Sequence, residues 1–399
     1  MSLPRPLRSS AVCLSILFVV TRVGIFLFLA GRGTDLGVHS EYWARIIGGE
    51  LPFRDFVPEY PPLVLAFTGV PVLLDRSLHW YFPIFRGLCC AVDCGMWLLI
   101  VRLNRGRAAQ SLLYILGTTA LGPLIYDRVD IVLGGLLLVA IVSLVRGRDR
   151  GFPLAVGTGI AFKLIPIVWI PIVLVFEARR GPWRLGRGLL LLALPTMVSF
   201  DLMASLGGLR FGEMFAYHAD RGIQIESAAA SVEMVLIRLG TEGEVSYDHG
   251  SVNLHTRYED VLVHAATALL GAVILISGLV ALRRGMDRES MALLLAAVLS
   301  AALLLSKVLS PQYFLFLLPV LVALPPPRHR AAAVSNWLLA AALFGLTGAI
   351  YPWIYDSLME LKPLGESIVI ARNACLAALS ICLFYSAWVH STRYAVITT

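Results

Sequence analysis

The sequence predicts an all-α polytopic membrane protein, and three observations carry that prediction. Of 399 residues, 58% are hydrophobic and only 15% are charged, too few charges to wet the surface of a soluble chain. Apolar windows of about 20 residues recur along most of the length, each long enough to cross a hydrocarbon core of roughly 30 Å. Between them the basic residues fall in short clusters, the pattern by which loop charge sets topology. The alternating short-strand pattern of a membrane barrel is absent. The formal net charge of +7 is accounted for by those clusters, and no basic-aromatic groove or base-reading motif points to nucleic acid. Cys13, Cys89, Cys90, Cys94, Cys375 and Cys382 all lie in apolar segments, as small packing residues do.

The clusters RLNRGR (102–107), RGRDR (146–150), RRGPWRLGR (179–187), RRGMDR (283–288) and RHR (328–330) are assigned to the cytoplasm, and Arg5 and Arg8 place the N-terminus there. Span 1 (about 11–30) is kept as a membrane helix, since no small-residue cleavage site of a signal peptide follows it. It leads to a first extracytoplasmic loop at 31–79, and span 2 (80–103) returns. Spans 3 (108–126) and 4 (129–146) go out and back. Segment 152–178 has basic clusters at both ends, so it must turn inside the bilayer as two short helices with Lys163 near their apex. Span 7 (188–206), a long outer loop (207–260) and span 8 (261–282) follow. Spans 9 (289–306), 10 (311–325), 11 (333–350) and 12 (367–388) complete a single domain over 1–399, with 326–399 as C-terminal helices. This gives about twelve spans with both termini inside.

One apolar stretch does not fit the alternation. PPLVLAFTGVPVLL (61–74) is short and proline-rich, and counting it as a span would put RLNRGR outside. It is read as an interfacial or re-entrant helix. SEYWARIIGG before it reads as a short amphipathic helix ended by glycines. In the second outer loop, GTEGEVSYDHGSVNLHTR (240–257) is polar enough to be mobile without a ligand.

With that topology the polar residues gather on one face. Asp35, His39, Asp55 and Glu59 belong to the first outer loop, and YDRVD places Asp127, Arg128 and Asp130 at the turn between spans 3 and 4. YHADRGIQIES (217–227) lies in the long loop, and SKVLSPQY (306–313) joins spans 9 and 10. Only three of 33 basic residues are lysine, Lys163, Lys307 and Lys362, all outer-side. A charge inside a span costs about 2.5–3.5 kcal/mol on insertion scales, so Lys163 and Lys307 are functional candidates, against the plainer reading that they snorkel to the interface. Cations beside carboxylates at a membrane face suit a lipid-linked phosphate. The cations hold the phosphate as it leaves, and a carboxylate takes the proton of an attacking hydroxyl.

GELPFRDFVPEYPPL, DRVD, GIAFKLIPIVWIPI, YHADRGIQIES and KVLSPQYFLFLLP occur in that order. In this series the chain resembles, over residues 1 to about 325, the GT-C superfamily of polytopic glycosyltransferases. Within it the chain looks most like the bacterial branch of polyprenyl-phosphate-mannose-dependent α-mannosyltransferases. The resemblance implies interfacial helices in the first outer loop and a catalytic base at Asp35, with Asp55 and Glu59 as second-choice bases. Asp35 would serve one inverting displacement, without the second, nucleophilic carboxylate of a retaining hydrolase. Arg128, with Asp130 beside it, Lys163, Arg221 and Lys307 are the candidate phosphate contacts. His218, Gln224, Glu226 and Gln312 are candidates for sugar or acceptor contacts. No DxD stands in the first loop and no His/Cys ligand spacing appears, so the expectation is transfer without a metal or other cofactor. The expected partners are a polyprenyl-phosphate-sugar donor, a glycolipid or polysaccharide acceptor and the plasma-membrane bilayer. A transporter and a polyprenyl-linked glycan ligase or flippase stand as alternatives. A transporter would show internal repeats and midplane polar groups, and a ligase would need a diphosphate-linked oligosaccharide.

Overall fold

The computed structural model describes residues 5–29, 36–104, 107–206, 210–284, 286–326 and 330–392. Helix α1 (Arg5–Phe28) is followed by α2 (Leu36–Ile47), the short pair α3 (Pro62–Thr68) and α4 (Val70–Leu74), then α5 (Tyr81–Leu103) and α6 (Ala108–Ala120). Next come α7 (Asp130–Val145), α8 (Gly151–Phe162), α9 (Ile170–Ala178) and α10 (Pro182–Leu206). Helices α11 (Phe211–Asp220) and α12 (Ala228–Arg238) precede strands β1 (Gly243–Asp248) and β2 (Ser251–Thr256). The chain continues through α13 (Glu259–Arg284), α14 (Arg288–Leu304), α15 (Phe314–Ala323), α16 (Arg330–Gly348), α17 (Tyr355–Met359) and α18 (Pro363–Thr392).

The protein is thus an all-α polytopic membrane protein, with one small hairpin among the described residues. Among the described residues six helical segments are long and apolar enough to cross a bilayer: Ser10–Phe28, α5, Pro182–Ser205, α13, Arg330–Met359 and Pro363–Ser391. The other predicted spans fall on α6, α7, α8, α9, α14 and α15, none longer than 17 residues. Length alone therefore supports six crossings rather than the twelve expected. The break predicted near Lys163 is present: α8 ends at Phe162, Lys163 is extended, and a 3₁₀ turn from Ile165 to Trp169 starts the next helix at a proline.

The core lies around α7, α14 and α15, most of whose residues are buried. Helix α7 packs against α8 and α15, and α14 against α18. Gly134 permits the α7–α15 approach, since a Cβ there would stand 2.6 Å from the Leu315 carbonyl oxygen. A small residue at such a crossing brings backbones close, the usual way to gain packing energy between apolar helices.

The apolar stretch 61–74 forms two short helices, α3 and α4. They pack against α2 through Trp43, whose Nε1 donates to Thr68 Oγ1 (3.1 Å) and whose ring lies against Gly69. The proline-rich link between α2 and α3 is a tight turn. The Asp55 carboxylate accepts from the Leu51 amide (2.8 Å) and pairs with Arg54 (2.7 Å). Phe53, at φ +60°, buries its ring with Leu65 and Met214.

The polar stretch 240–257, expected to be mobile, contains an antiparallel hairpin instead. Its two-residue turn is His249-Gly250, both at positive φ (46° and 69°), the backbone a type I′ turn requires. Segment 223–225 adds to the hairpin, with Ile225 N donating to Val252 O (3.0 Å) and Leu254 N to Ile223 O (2.9 Å).

Connections 38–61, 124–128, 163–168, 214–226, 247–252, 306–313 and 351–355 all reach one end of the bundle. At the opposite end the arginine-rich connections meet. Arg180, Arg184 and Arg288 converge on Asp149, and Arg107 donates to the Leu324 carbonyl (3.0 Å). The two sets are those that the charge pattern separates by side.

Candidate active site

At the first end lies a cavity of about 730 Å³. Four cationic side chains line it from four different connections: Arg128 after α6, Lys163 after α8, Arg221 after α11 and Lys307 after α14. Lys163 Nζ is 2.6 Å from Asp130 Oδ1, and the ammonium stands 4.5 Å from the centroid of Tyr313. Asp130, only 1% exposed, is therefore a counter-ion behind the wall. Lys307 Nζ donates to the carbonyls of Ala219 and Arg221, each at 2.6 Å. It thereby ties the α14–α15 turn to the end of α11. Burial lowers its ammonium pKa against the pull of Glu259. The Arg221 Nε is buried without a hydrogen-bond partner among the described residues.

Carboxylates face these cations. Glu59 lines the cavity, and its Oε1 accepts from Tyr217 Oη at 3.2 Å. His218 Nε2 is 3.0 Å from the Glu59 carbonyl oxygen, and burial holds its imidazole below the ordinary pKa. Glu226 also lines the cavity but is fully buried. Its Oε2 accepts from Arg372 Nη1 at 3.3 Å, and burial pushes the carboxyl up to about 7 against that pull. Gln224 Oε1 accepts from Ser310 Oγ (3.1 Å), and Gln312 completes this part of the wall. Apolar residues share the lining; of these Ile167 is 50% and Phe215 47% exposed, so the cavity has a greasy edge.

The structure thus brings Glu59, Arg128, Lys163, His218, Arg221, Gln224, Glu226, Lys307 and Gln312 around one cavity. Asp130 stands one contact behind. Asp55 is not among the lining residues, being held by Arg54 and the Leu51 amide. Asp35 lies outside the described residues. His39 is buried against Tyr60 (ring centroids 5.2 Å apart), with burial and then Lys163 pushing its imidazole down to about 4. It packs among the rings of Tyr42, Tyr60 and Phe85 and is not among the lining residues.

Sequence reasoning missed the tyrosines. Tyr60, Tyr247, Tyr313, Tyr351 and Tyr355 all line the cavity. An available signal was the pair Tyr351 and Tyr355, four residues apart beyond span 11. Arg372 was missed too, although a lone arginine inside a predicted span is itself a signal.

The chemistry available is specific. Several fixed cations can hold a phosphate, carboxylates and amides can accept from hydroxyls, and tyrosine rings can stack on a sugar face. No curated protein matches the chain. A family model described as glycosyltransferase family 87 matches residues 56–311, a stretch that holds all four lining cations and both carboxylates. The chain belongs to glycosyltransferase family 87.

Proposed function

We propose that this transferase moves a single sugar, mannose first among the possibilities, from a polyprenyl-phosphate donor to a glycolipid or polysaccharide acceptor. Transfer takes place on the extracytoplasmic face of the plasma membrane. The observation that carries the reading is the set of four cations from four connections around one cavity with an apolar edge. Arg128, Lys163, Arg221 and Lys307 bind the donor phosphate, and Ile167 and Phe215 meet the first isoprene units. Gln224, Glu226, Gln312 and His218 take sugar and acceptor hydroxyls.

The reaction is one inverting displacement. The acceptor oxygen attacks the anomeric carbon while the bond from that carbon to the phosphate oxygen breaks. The electron pair leaves on the polyprenyl phosphate, where the cations meet the developing charge. The hydroxyl proton passes to the Asp35 carboxylate. Support for Asp35 comes from its place in the chain, three residues before the lining residue Val38. Glu59 is the alternative base, since it lines the cavity and Tyr217 orients it.

The test is transfer of radiolabelled mannose from polyprenyl-phosphate-mannose to endogenous lipid in membranes carrying wild type, Asp35→Asn or Glu59→Gln. Loss of a general base is expected to cost about 10²–10⁴ in rate. That loss in Asp35→Asn, with Glu59→Gln retaining transfer, supports the assignment. The reverse pattern moves the base to Glu59, and absence of product from wild type defeats the proposed donor.

A further inference from the structure

Arg372 is fully buried in α18, 61 residues past the end of the family match. Its Nη1 donates to Glu226 Oε2 (3.3 Å) and its Nη2 to the Glu226 carbonyl oxygen. Beside it, Asn373 Nδ2 is within hydrogen-bond reach of the carbonyls of Glu226 and Ser227 (each 3.1 Å) and of Ser231 Oγ (2.8 Å). Arg238 Nε pairs with Glu366 at 2.8 Å on the same two segments. Asn373 and the Arg238–Glu366 pair thus already tie α18 to α12. A further guanidinium on the Glu226 side chain is not needed for that tie.

What Arg372 does in addition is occupy one carboxylate oxygen and leave the other without a hydrogen-bond partner among the described residues. Glu226 Oε1 is buried and has no hydrogen-bond partner among the described residues, while the residue lines the cavity. Buried acceptors are almost always satisfied, and an unsatisfied one on a cavity wall is a place for a ligand's donor. We propose that Arg372 is a positioning residue that holds Glu226 on the cavity wall so that Oε1 receives a hydroxyl of the sugar being transferred. The inference rests on the glycosyl-transfer reading of this cavity. The C-terminal helices are then part of the site, with Tyr351 and Tyr355 beside the same carboxylate.

A pH signature follows. The groups that act on Glu226 or feel its charge are Arg372 from α18 and the phenols of Tyr351 and Tyr355, and Tyr351 in turn feels Arg128 and Asp127. Burial raises the Glu226 carboxyl to about 7 while Arg372 pulls it down. Removing Arg372 leaves burial unopposed, so the carboxyl takes up its proton at higher pH.

The experiment uses the purified full-length chain and Arg372→Gln, Arg372→Lys and Glu226→Gln variants. Their melting temperatures, infrared titrations of the buried carboxylic-acid band and kinetics with polyprenyl-phosphate-mannose are compared. In wild type a band that is missing in Glu226→Gln should titrate near neutrality. In Arg372→Gln it should titrate at higher pH, with the activity profile displaced the same way. The donor KM should rise roughly tenfold to a hundredfold, the loss of a hydrogen bond to a charged group, with a smaller change in kcat. Arg372→Lys should recover part of both effects. A lower melting temperature with unchanged titration and KM would reduce Arg372 to a structural tie. If Arg372→Gln does not fold, Glu226→Gln decides: an unchanged donor KM sinks the proposal, a raised one supports it. If wild type makes no glycosylated product, the transfer reading falls, and the sugar-binding role of Oε1 falls with it. The infrared titration then still decides whether Arg372 holds Glu226.

Discussion

Asp93 has no exposed surface and sits where α1, α5 and α6 meet. Its carboxylate accepts from Arg22 Nε (2.8 Å), Tyr114 Oη (2.5 Å) and Tyr126 Oη (2.8 Å), while Arg22 Nη2 also donates to Thr118 Oγ1 (2.7 Å). The guanidinium lies 4.1 Å from the centroid of Phe18. A buried pair satisfied this fully holds helices together, but removing one partner strands the other charge in an apolar site. Asp93→Ala is therefore expected to destabilise by about 3–5 kcal/mol, read as a lowered unfolding midpoint in detergent. Arg22→Met with Asp93→Leu should recover part of the loss, because no lone charge remains although the Tyr114 and Tyr126 hydroxyls lose their acceptor. The same chemistry bounds what the sequence makes legible at this scale. Charges in predicted spans are functional candidates, and that rule leads to Lys163 and Lys307, both at the cavity. Applied to Arg22 and Asp93, it would have led to a structural clamp. Partner identity separates the cases, and partners 71 residues apart leave no local pattern in the chain.

Among the elements, the membrane helices were legible because apolar length and basic clusters are strong, local signals. The break at Lys163 and the short helices at 61–74 followed from proline and from the charge count. The hairpin was not legible. Its residues are mostly polar, its turn His249-Gly250 lacks the commoner asparagine-glycine signature, and the segment it pairs with, 223–225, lies 27 to 31 residues before Val252 and Leu254. Beside those backbone bonds and the apolar packing of Leu254 on Ile223 and Ile225, part of its anchoring is electrostatic. His255 Nδ1 is 2.8 Å from Glu259 Oε2, and its Nε2 is 3.6 Å from Asp248 Oδ2. Burial disfavours the imidazolium, but the hydrogen bond and charge of Glu259, with Asp248, outweigh it and raise the His255 pKa. A raised folded pKa gives stabilisation that is complete below the unfolded value, about 6.5, and is lost as pH rises through the folded one. Amide exchange in β1 and β2, corrected for its intrinsic pH dependence, should therefore accelerate over that interval. His255→Gln should flatten the dependence. A wild-type exchange profile that is already flat would show that His255 adds nothing to the backbone bonds and apolar packing that fix the hairpin.

For the whole molecule the strongest regularity is the separation of its two ends. The connections that line the cavity alternate along the chain with those that carry the arginine clusters. That alternation follows if α6, α7, α8, α9, α14 and α15 cross the bilayer along with the six long helices, despite their shorter length. Short helices can do so where neighbouring protein, not lipid, covers their ends, and most residues of α7, α8, α14 and α15 are buried. Twelve crossings would put Glu242, beside the hairpin, and Arg148, in the Asp149 cluster, on opposite sides. Both are exposed, so both can be probed. In a cysteine-free background, Glu242→Cys should react with a membrane-impermeant maleimide on intact cells, and Arg148→Cys only after permeabilisation. Equal labelling of the two sites on intact cells would break the alternation and remove the argument that these short helices span. Exchanged accessibilities would keep the alternation but turn the cavity to the cytoplasm, where a polyprenyl-phosphate donor would have to be met on the inner leaflet.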